Sequence, residues 1–464
     1  MPTFTFEQLA HWTGGRWSAV PVAPLTGFGV DTRRLRRGDV FVALKTAQRD
    51  GHDFLGEAQA AGASAALVAA PRAGATLPQL VVADPLQALQ TIAREHRRAF
   101  HGPVAAITGS AGKTSTKDLL ALLLGGEAGG VLATEGNLNN HLGVSLTLTR
   151  LDPAKHRLAV IEAGISAPGE MAPLAAMIAP DVTIVTLIAP AHTQDLGGLE
   201  GVAREKAVLP AALRVGGVAI LPRAVAGLPA FQALTVATQV SDRIEPTALA
   251  PYPKGAAEFS VLQHGEETVV RLGGEAGREY AMCRMTEGMA QNAALAILAA
   301  LRLGVAPAEI QTRLRQWRPG KLRGEILREE GRLLYLDCYN ANPASMADAL
   351  AAFVAVAPLG VPRLYVIGCM EELGAETVRL HRALGRHITL RPTDRLFITG
   401  TNAAAVAAGV LDQGDFSEQI QMVSSLEPMA VAVAGWHGAV FVKGSRRYQL
   451  EKILEAQTAL PLSC

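Results

Sequence analysis

The stretch "ITGSAGKTST", residues 107–116, carries the strongest structural signal in the chain. Apolar residues 104–107 lead into it, and a helical apolar pattern over 119–124, ended by Gly125 and Gly126, follows it. A strand, a glycine-rich turn and a helix start in that order place backbone N–H groups, the Lys113 ammonium and the magnesium-ligating Thr114 hydroxyl around a polyphosphate. The common spacing of such loops puts a first glycine at position 107, where Ile107 stands, so this is a shortened variant. A turn holding a chance Gly-Lys-Thr is the plainer reading, and the flanking strand and helix argue against it.

Outward from the loop, buried strands at 104–107, 158–161 and 182–188 alternate with helices, which predicts a parallel sheet with the loop at a strand's carboxyl end. Residues 256–285 are rich in strand formers and turns and predict hairpins, and "QNAALAILAALRLGV" (291–305) predicts a helix. Upstream, strands at 40–44 and 65–68 and a helix with apolar residues Leu86, Leu89, Ile92 and Ala93 form a small mixed unit. Gly102 and Pro103 make the joint. Beyond "RPGKLRGE" (318–325), strands at 333–336, 364–367, 396–398 and 439–442 predict a second doubly wound unit, with the alanine-rich 403–410 as one of its helices. The expected division is 1–102, 103–317 and 318–464, an α/β protein of three domains.

A length of 464 residues agrees with roughly three cores. Basic and acidic residues number 43 and 42, and a net charge of +1 provides no field to gather nucleic acid or an anionic membrane. The four cysteines, Cys283, Cys338, Cys369 and Cys464, lie far apart without a Cys-x-x-Cys pair, which suggests neither a disulfide framework nor a zinc site and fits a reducing cytosol. The N-terminal "MPTFTFEQLAHW" lacks a basic segment leading into an apolar core, and no uninterrupted run of about 18 apolar residues occurs. A cytoplasmic protein is expected.

Several polar clusters extend the phosphate signal. Glu162 ends the strand in "LAVIEAG" and His192 follows another in "LIAPAHT"; on the edge that carries Lys113 both would reach a divalent ion beside the phosphates. A cap and a satisfied surface histidine explain them as well from sequence alone. Lys206 in "VAREKAVL" has the look of a solvated helix lysine. "TEGNLNNHLGV" (134–144) gathers Asn137, Asn139 and Asn140, whose amides donate and accept, although an asparagine-rich turn is the simpler account. "DCYNANPASM" (337–346) follows a strand of the third unit and sets Asp337, Asn340, Asn342 and Ser345 toward an interdomain cleft.

Taken in order, "GSAGKTS", "GNLNN", "EAG", "AH", "EK", "YNANP", "ELG" before His381 and "KGSR" resemble the Mur ligases, in the pattern of the members that add a dipeptide. Residues 31–68 are similar to that family's uridine-nucleotide-binding domain, with Asp31, Thr32 and Arg33 on its Asp-Ser-Arg element. The resemblance covers nearly the whole chain. It implies a small uridine-nucleotide-binding domain, a central P-loop ATPase domain and a C-terminal Rossmann-like domain. The implied reaction is ATP-dependent ligation of D-alanyl-D-alanine to UDP-N-acetylmuramoyl-tripeptide through an acyl phosphate, a cytoplasmic step of peptidoglycan precursor synthesis, by a monomer. By the same resemblance, Gly109, Ser110, Ala111, Gly112, Lys113, Thr114 and Ser115 bind the ATP phosphates. Mg2+ falls to Thr114, Glu162, His192 and a carbamylated Lys206. Asn292 contacts adenine, Arg323 a nucleotide phosphate and Asp337 the ribose, while Asn340, Asn342 and Ser345, assisted by Lys443 to Arg446, meet the dipeptide.

The chain departs from the family pattern at Leu336, Cys338 and Cys369, in "LGVS" at 142–145, and in lacking a histidine ahead of Asn292 in "TEGMAQN". These departures bear on base and acceptor contacts. A Mur-type ligase with another amino-acid or dipeptide acceptor, a non-catalytic nucleotide-binding relative and a simple phosphohydrolase are the alternatives. The last would need neither the first nor the third unit.

Overall fold

The computed structural model describes residues 2–190, 193–243, 256–273, 278–329 and 331–455. Its strands form three sheets, drawn from residues 16–81, 104–283 and 325–443.

The central sheet has nine strands in the order Arg278–Cys283, Glu267–Leu272, Ala256–His264, Thr238–Arg243, Val218–Pro222, Val182–Val185, Val104–Thr108, Leu158–Glu162 and Val131–Ala133. Val104–Thr108, Leu158–Glu162 and Val182–Val185 are buried along their whole length, as apolar strands covered by helices on both faces must be. Val104–Thr108 runs parallel to a neighbour on each side, pairing Ile107 with Glu162 and with Ile184. The chain thus leaves this strand at a point where the order reverses, the place where open α/β sheets open a crevice at their carboxyl ends. The hairpins expected over 256–285 are the antiparallel strands Ala256–His264, Glu267–Leu272 and Arg278–Cys283, which extend the parallel sheet at one edge and make it mixed. The strand expected over 182–188 stops at Val185, and just beyond it the Thr186 hydroxyl donates to the Ala111 carbonyl at 2.5 Å.

Helices Lys113–Leu123 and Glu287–Arg302 cover one face of this sheet, in a core that reaches Trp317. In Glu287–Arg302 the Thr286 side chain caps the Met289 N–H, and buried Ala293, Ala296 and Ala300 let the helix lie close. The opposite face is covered by His141–Leu148, Met171–Ile178 and Gly198–Ala211.

The N-terminal sheet has the order Arg16–Trp17, Gln79–Val81, Ala65–Val68, Asp39–Val42 and Gly27–Gly29, antiparallel only at its first pair. Helix Pro85–Arg98, with Asp84 as N-cap and proline at its first position, leads out of it and packs on His141–Leu148 and Met171–Ile178. The third sheet runs Glu325–Glu329, Arg332–Leu336, Gly438–Lys443, Arg363–Gly368, Arg395–Thr399 and Ile420–Val423, antiparallel only at its first pair.

Arg97 joins the first two units. Its side chain is 2% exposed, and it donates to the carbonyls of Ile178, Phe100 and Ala179, each at 2.9 Å, and to Asp181 Oδ2 at 3.1 Å. A guanidinium is thereby set on the carbonyl end of Met171–Ile178, where the helix dipole favours a cation. Removing it strands the Ile178 and Ala179 carbonyls in a buried joint, while Asp181 keeps the Val104 N–H and Arg214. Arg97→Met is expected to cost about 3 kcal/mol, read as a lower urea midpoint for unfolding of the first two units, with Arg97→Lys restoring only part because an ammonium lacks the planar fork.

Candidate active site

The loop after Val104–Thr108 is shaped by two glycines. Gly109 has φ +145°, and a Cβ there would lie 2.0 Å from Thr186 Oγ1; Gly112 has φ +75°, and its Cβ would lie 2.2 Å from Asn292 Nδ2. Both positions exclude a side chain by conformation and by space. Ser110 is fixed to the neighbouring strand's exit, donating to the Ala189 carbonyl at 2.8 Å and accepting from its N–H at 3.0 Å. Helix Lys113–Leu123 starts immediately, so its first N–H groups open on a cleft. Lys113 Nζ rests on the Gly109 carbonyl at 3.0 Å, with its pKa lowered by burial and by Arg323 against the pull of Glu162.

Glu162 lies beside the loop at its strand's end, 1% exposed. Its Oε1 accepts from Asn139 Nδ2 at 2.7 Å and its backbone N–H donates to Thr134 Oγ1 at 2.9 Å. Oε2 is buried with no hydrogen-bond partner among the described residues. A carboxylate oxygen in that state calls for a cation. Lys206 is not the solvated lysine its helix suggested: it is 2% exposed, and its pKa falls well below the usual value through burial and the nearby Lys113 charge. His192 lies outside the described residues.

The third unit forms the facing wall of a cavity of about 620 Å³, lined by Ser110–Ser115, Asn137, Asn139, Asn140, Glu162, Asn292, Arg323, Asp337, Asn340, Asn342 and Ser345. Asn342 Nδ2 donates to the Ser110 carbonyl at 3.1 Å, directly across the cleft. The same asparagine is N-cap of Pro343–Val356 in a capping box with Ser345, so both residues also start that helix. Asp337 pairs with buried Lys443 at 2.6 Å; burial raises its pKa and Lys443 opposes the rise. Arg323 lies over the Tyr339 ring at 3.8 Å. Asn140 is likewise an N-cap, accepting from the Gly143 N–H.

Asp31, Thr32 and Arg33 stand apart from this cavity. Asp31 caps a short turn and takes two hydrogen bonds from the Arg33 guanidinium, which holds its carboxyl down at about 2. His381 stays internal: its Nε2 accepts from the Met370 N–H and its Nδ1 meets the Thr377 carbonyl. Leu336, Cys338 and Cys369 also pack in the third unit's core away from the cleft, with burial raising the two thiols to about 12 and about 11.

Sequence reading missed Lys117, Thr186, Trp317, Tyr335 and Asp348. Lys117, 3% exposed, donates to the Thr134 carbonyl at 2.8 Å and ties the asparagine loop to the phosphate-loop helix. Its place four residues after Lys113, on the same helix face, was a signal available in the sequence. Trp317, Tyr335 and Asp348 line the cavity from segments with no motif of their own.

A glycine loop at the switch point of a buried sheet, with a lysine, an orphaned carboxylate and a second doubly wound unit closing over it, defines a three-unit phosphate-loop enzyme. Mur ligase family models match along the chain: the catalytic domain over 24–97, the middle domain over 107–300 and the glutamate ligase domain over 322–446. The UDP-N-acetylmuramoyl-tripeptide--D-alanyl-D-alanine ligase of Escherichia coli (strain K12) is 32% identical over 466 residues, spanning 98% of each protein. The structure of MurF from Acinetobacter baumannii matches with a TM-score of 0.85 at 27% identity, over 99% of this chain and 100% of that one. MurF from Thermotoga maritima, solved in complex with ADP, shares the fold with a TM-score of 0.77 at 24% identity over 94% and 97%. The chain belongs to the Mur ligase family and is a ligase.

The buried Lys206 generates a stability test. A lysine whose folded pKa lies below its unfolded value of about 10.4 penalises the fold in full at low pH, and the penalty lifts as pH rises from the folded toward the unfolded pKa. In CO2-free buffer, Lys206→Met is therefore expected to melt above the parent at pH 7, with the gap narrowing toward pH of about 10. Calorimetry across pH checks it; a constant or widening gap would contradict the burial argument.

Proposed function

We propose that the protein joins D-alanyl-D-alanine to UDP-N-acetylmuramoyl-tripeptide at the expense of ATP, in peptidoglycan precursor synthesis. The observation that carries this reading is the single cleft shared by the phosphate loop and the polar wall of the third unit, bonded to each other through Asn342 and Ser110. Similarity over 98% of the chain to a UDP-N-acetylmuramoyl-tripeptide--D-alanyl-D-alanine ligase supports the choice of acceptor.

The residues on the two walls divide the work. Backbone N–H groups of Ser110–Ser115 and the Lys113 ammonium hold the triphosphate and offset charge on its transferred group. The tripeptide's terminal carboxylate attacks the γ-phosphorus, the bond to the β–γ bridging oxygen breaks, and ADP leaves an acyl phosphate. The dipeptide amine then attacks the acyl carbon, inorganic phosphate departs, and the amine nitrogen releases its proton as the amide forms. Asn340, Asn342 and Ser345 orient the dipeptide, Arg323, Asp337 and Asn292 the nucleotide, and Asn137, Asn139 and Asn140 the activated end of the tripeptide. The third unit, lying over the loop, keeps water from the acyl phosphate.

The orphaned Glu162 Oε2 and the buried Thr114 fit a magnesium ion, which when bound neutralises phosphate charge; Glu162, Thr114 and His192 would hold it. Lys206, whose hold on a proton burial weakens, fits carbamylation: the lone pair of its neutral form adds to carbon dioxide, a proton leaves, and the resulting anion matches the excess of amines there. The first unit, residues 1–102, binds the uridine nucleotide through Asp31, Thr32 and Arg33, the second, 103–317, binds ATP, and the third, 318–464, brings the dipeptide. The cleft is completed within one chain, which supports a monomer. Cys283, Cys338 and Cys369 are free, which supports a reducing, cytoplasmic setting.

Sustained release of ADP, beyond one equivalent per enzyme, is expected only when ATP, magnesium, the UDP-tripeptide and D-alanyl-D-alanine are all present, with a pentapeptide product by mass; turnover with a different acceptor but not with this dipeptide would refute the assignment. Glu162→Gln is expected to cut kcat by about 100-fold or more while nucleotide still binds. Loss of nucleotide binding alone would give Glu162 a different role.

A further inference from the structure

Among the described residues, no apolar core holds the third unit over the phosphate loop. The clusters that contain third-unit residues are drawn wholly from position 322 onward, and the core of the phosphate-loop helix ends at Trp317. What crosses the cleft among the described residues is polar. Asn342 reaches Ser110, Thr193 Oγ1 donates to the Leu373 carbonyl at 3.1 Å, and exposed Arg328 meets Glu266 at 2.9 Å.

One further contact differs in kind. Asp348, on the third unit's helix Pro343–Val356, accepts the Gly288 N–H at Oδ1, 3.0 Å away. Gly288 is in the first turn of the sixteen-residue helix Glu287–Arg302, which carries Asn292. That helix has its own cap in Thr286, which serves Met289, so Asp348 serves a second first-turn N–H from the opposite side of the cleft. A Cβ on Gly288 would lie 2.7 Å from Asp348 Oδ2, so a side chain there would push the carboxylate aside.

We propose that Asp348 is a positioning residue: by capping the central unit's helix from across the cleft, it orients the third unit over the phosphate loop and sets the acceptor wall in register. The charge–dipole geometry is favourable, since a carboxylate meets the positive end of a long helix and a charged acceptor makes the stronger hydrogen bond. The spacing explains why this contact orients. Asn342 and Asp348 are six residues apart on one helix, about 9 Å along its axis. A helix held at one point swivels, whereas one held at two has a fixed direction. The consequence for catalysis rests on the ligase reading; the held arrangement does not.

The test compares Asp348→Ala, Gly288→Ala, their double mutant and Asp348→Asn by small-angle scattering without substrates, then by steady-state kinetics. Each alanine variant is expected to raise the radius of gyration and to lower kcat/KM for the dipeptide about tenfold or more. The double mutant should be no worse than the stronger single, since both remove one contact. Asp348→Asn keeps an oxygen opposite the Gly288 N–H and should fall between parent and alanine; it also carries the test if an alanine variant fails to fold. Unchanged scattering in the soluble variants, or losses that add in the double mutant, would overturn the proposal. Altered scattering without turnover on this dipeptide would leave Asp348 in place and remove the acceptor assignment instead.

Discussion

The absence of room beside two glycines governs the rest of the molecule. Thr186 occupies the space a Cβ would need at position 109, and Asn292 does the same at position 112. Thr186 comes from the exit of the adjacent strand and Asn292 from a helix closing the same face of the sheet, so the loop's shape depends on elements far apart in sequence. Each must be buried in its own core before the loop can form. This is why an alanine-rich helix is pressed so closely onto the phosphate-loop helix: a bulkier face would hold Asn292 away from Gly112.

Around that loop, charge is arranged against stability. Two amines, Lys113 and Lys206, both lose affinity for protons, Lys206 in part through the Lys113 charge, and the carboxylate near Lys113 leaves one oxygen unpaired among the described residues. A fold selected only for stability would replace Lys206 with an apolar residue and pair Glu162 fully. The arrangement makes sense when an anion and a cation from outside complete it, because the cost is then recovered on binding.

The sequence displayed the parts of this that rest on continuous apolar runs or on local spacing. Val104–Thr108, Leu158–Glu162 and Gly438–Lys443 are buried throughout and were legible as strands; the loop was legible from its glycines and Lys113. Arg16–Trp17, Gly27–Gly29 and Ile420–Val423 were not, since each is two to four residues long or half exposed and lacks a period to detect. The strand at 182–188 was overextended because "LIA" stays apolar after the chain has left the ladder to pack beside the loop. Burial of Lys206 was invisible for a different reason. Its helix has Arg204 and Glu205 beside it, and only the docking of Gly198–Ala211 on the sheet decides which of these faces inward. Asp348 illustrates the limit of local reading, because its partner is an N–H group sixty residues earlier in the chain.

The two joints between units are built from different interactions, and the difference predicts which one moves. The first is apolar as well as polar: Ala93 and Phe100 belong to the same cluster as Val104 and Leu174, with Arg97 buried among them. Opening it would expose that surface to water and strip a buried guanidinium of three partners, Ile178, Ala179 and Asp181, so the first two units should behave as one body. The second joint exchanges hydrogen bonds for water at little net cost per bond. Separation there leaves the hydrophobic clusters of the described residues intact, because none of those clusters spans it. A ligase that must admit a nucleotide and a dipeptide and then exclude water needs one rigid joint to keep the carboxylate aligned with the phosphates, and one weak joint to open. The chain supplies both, the first through a shared core and the second through a few directed polar contacts whose geometry, rather than whose summed energy, fixes the closed position.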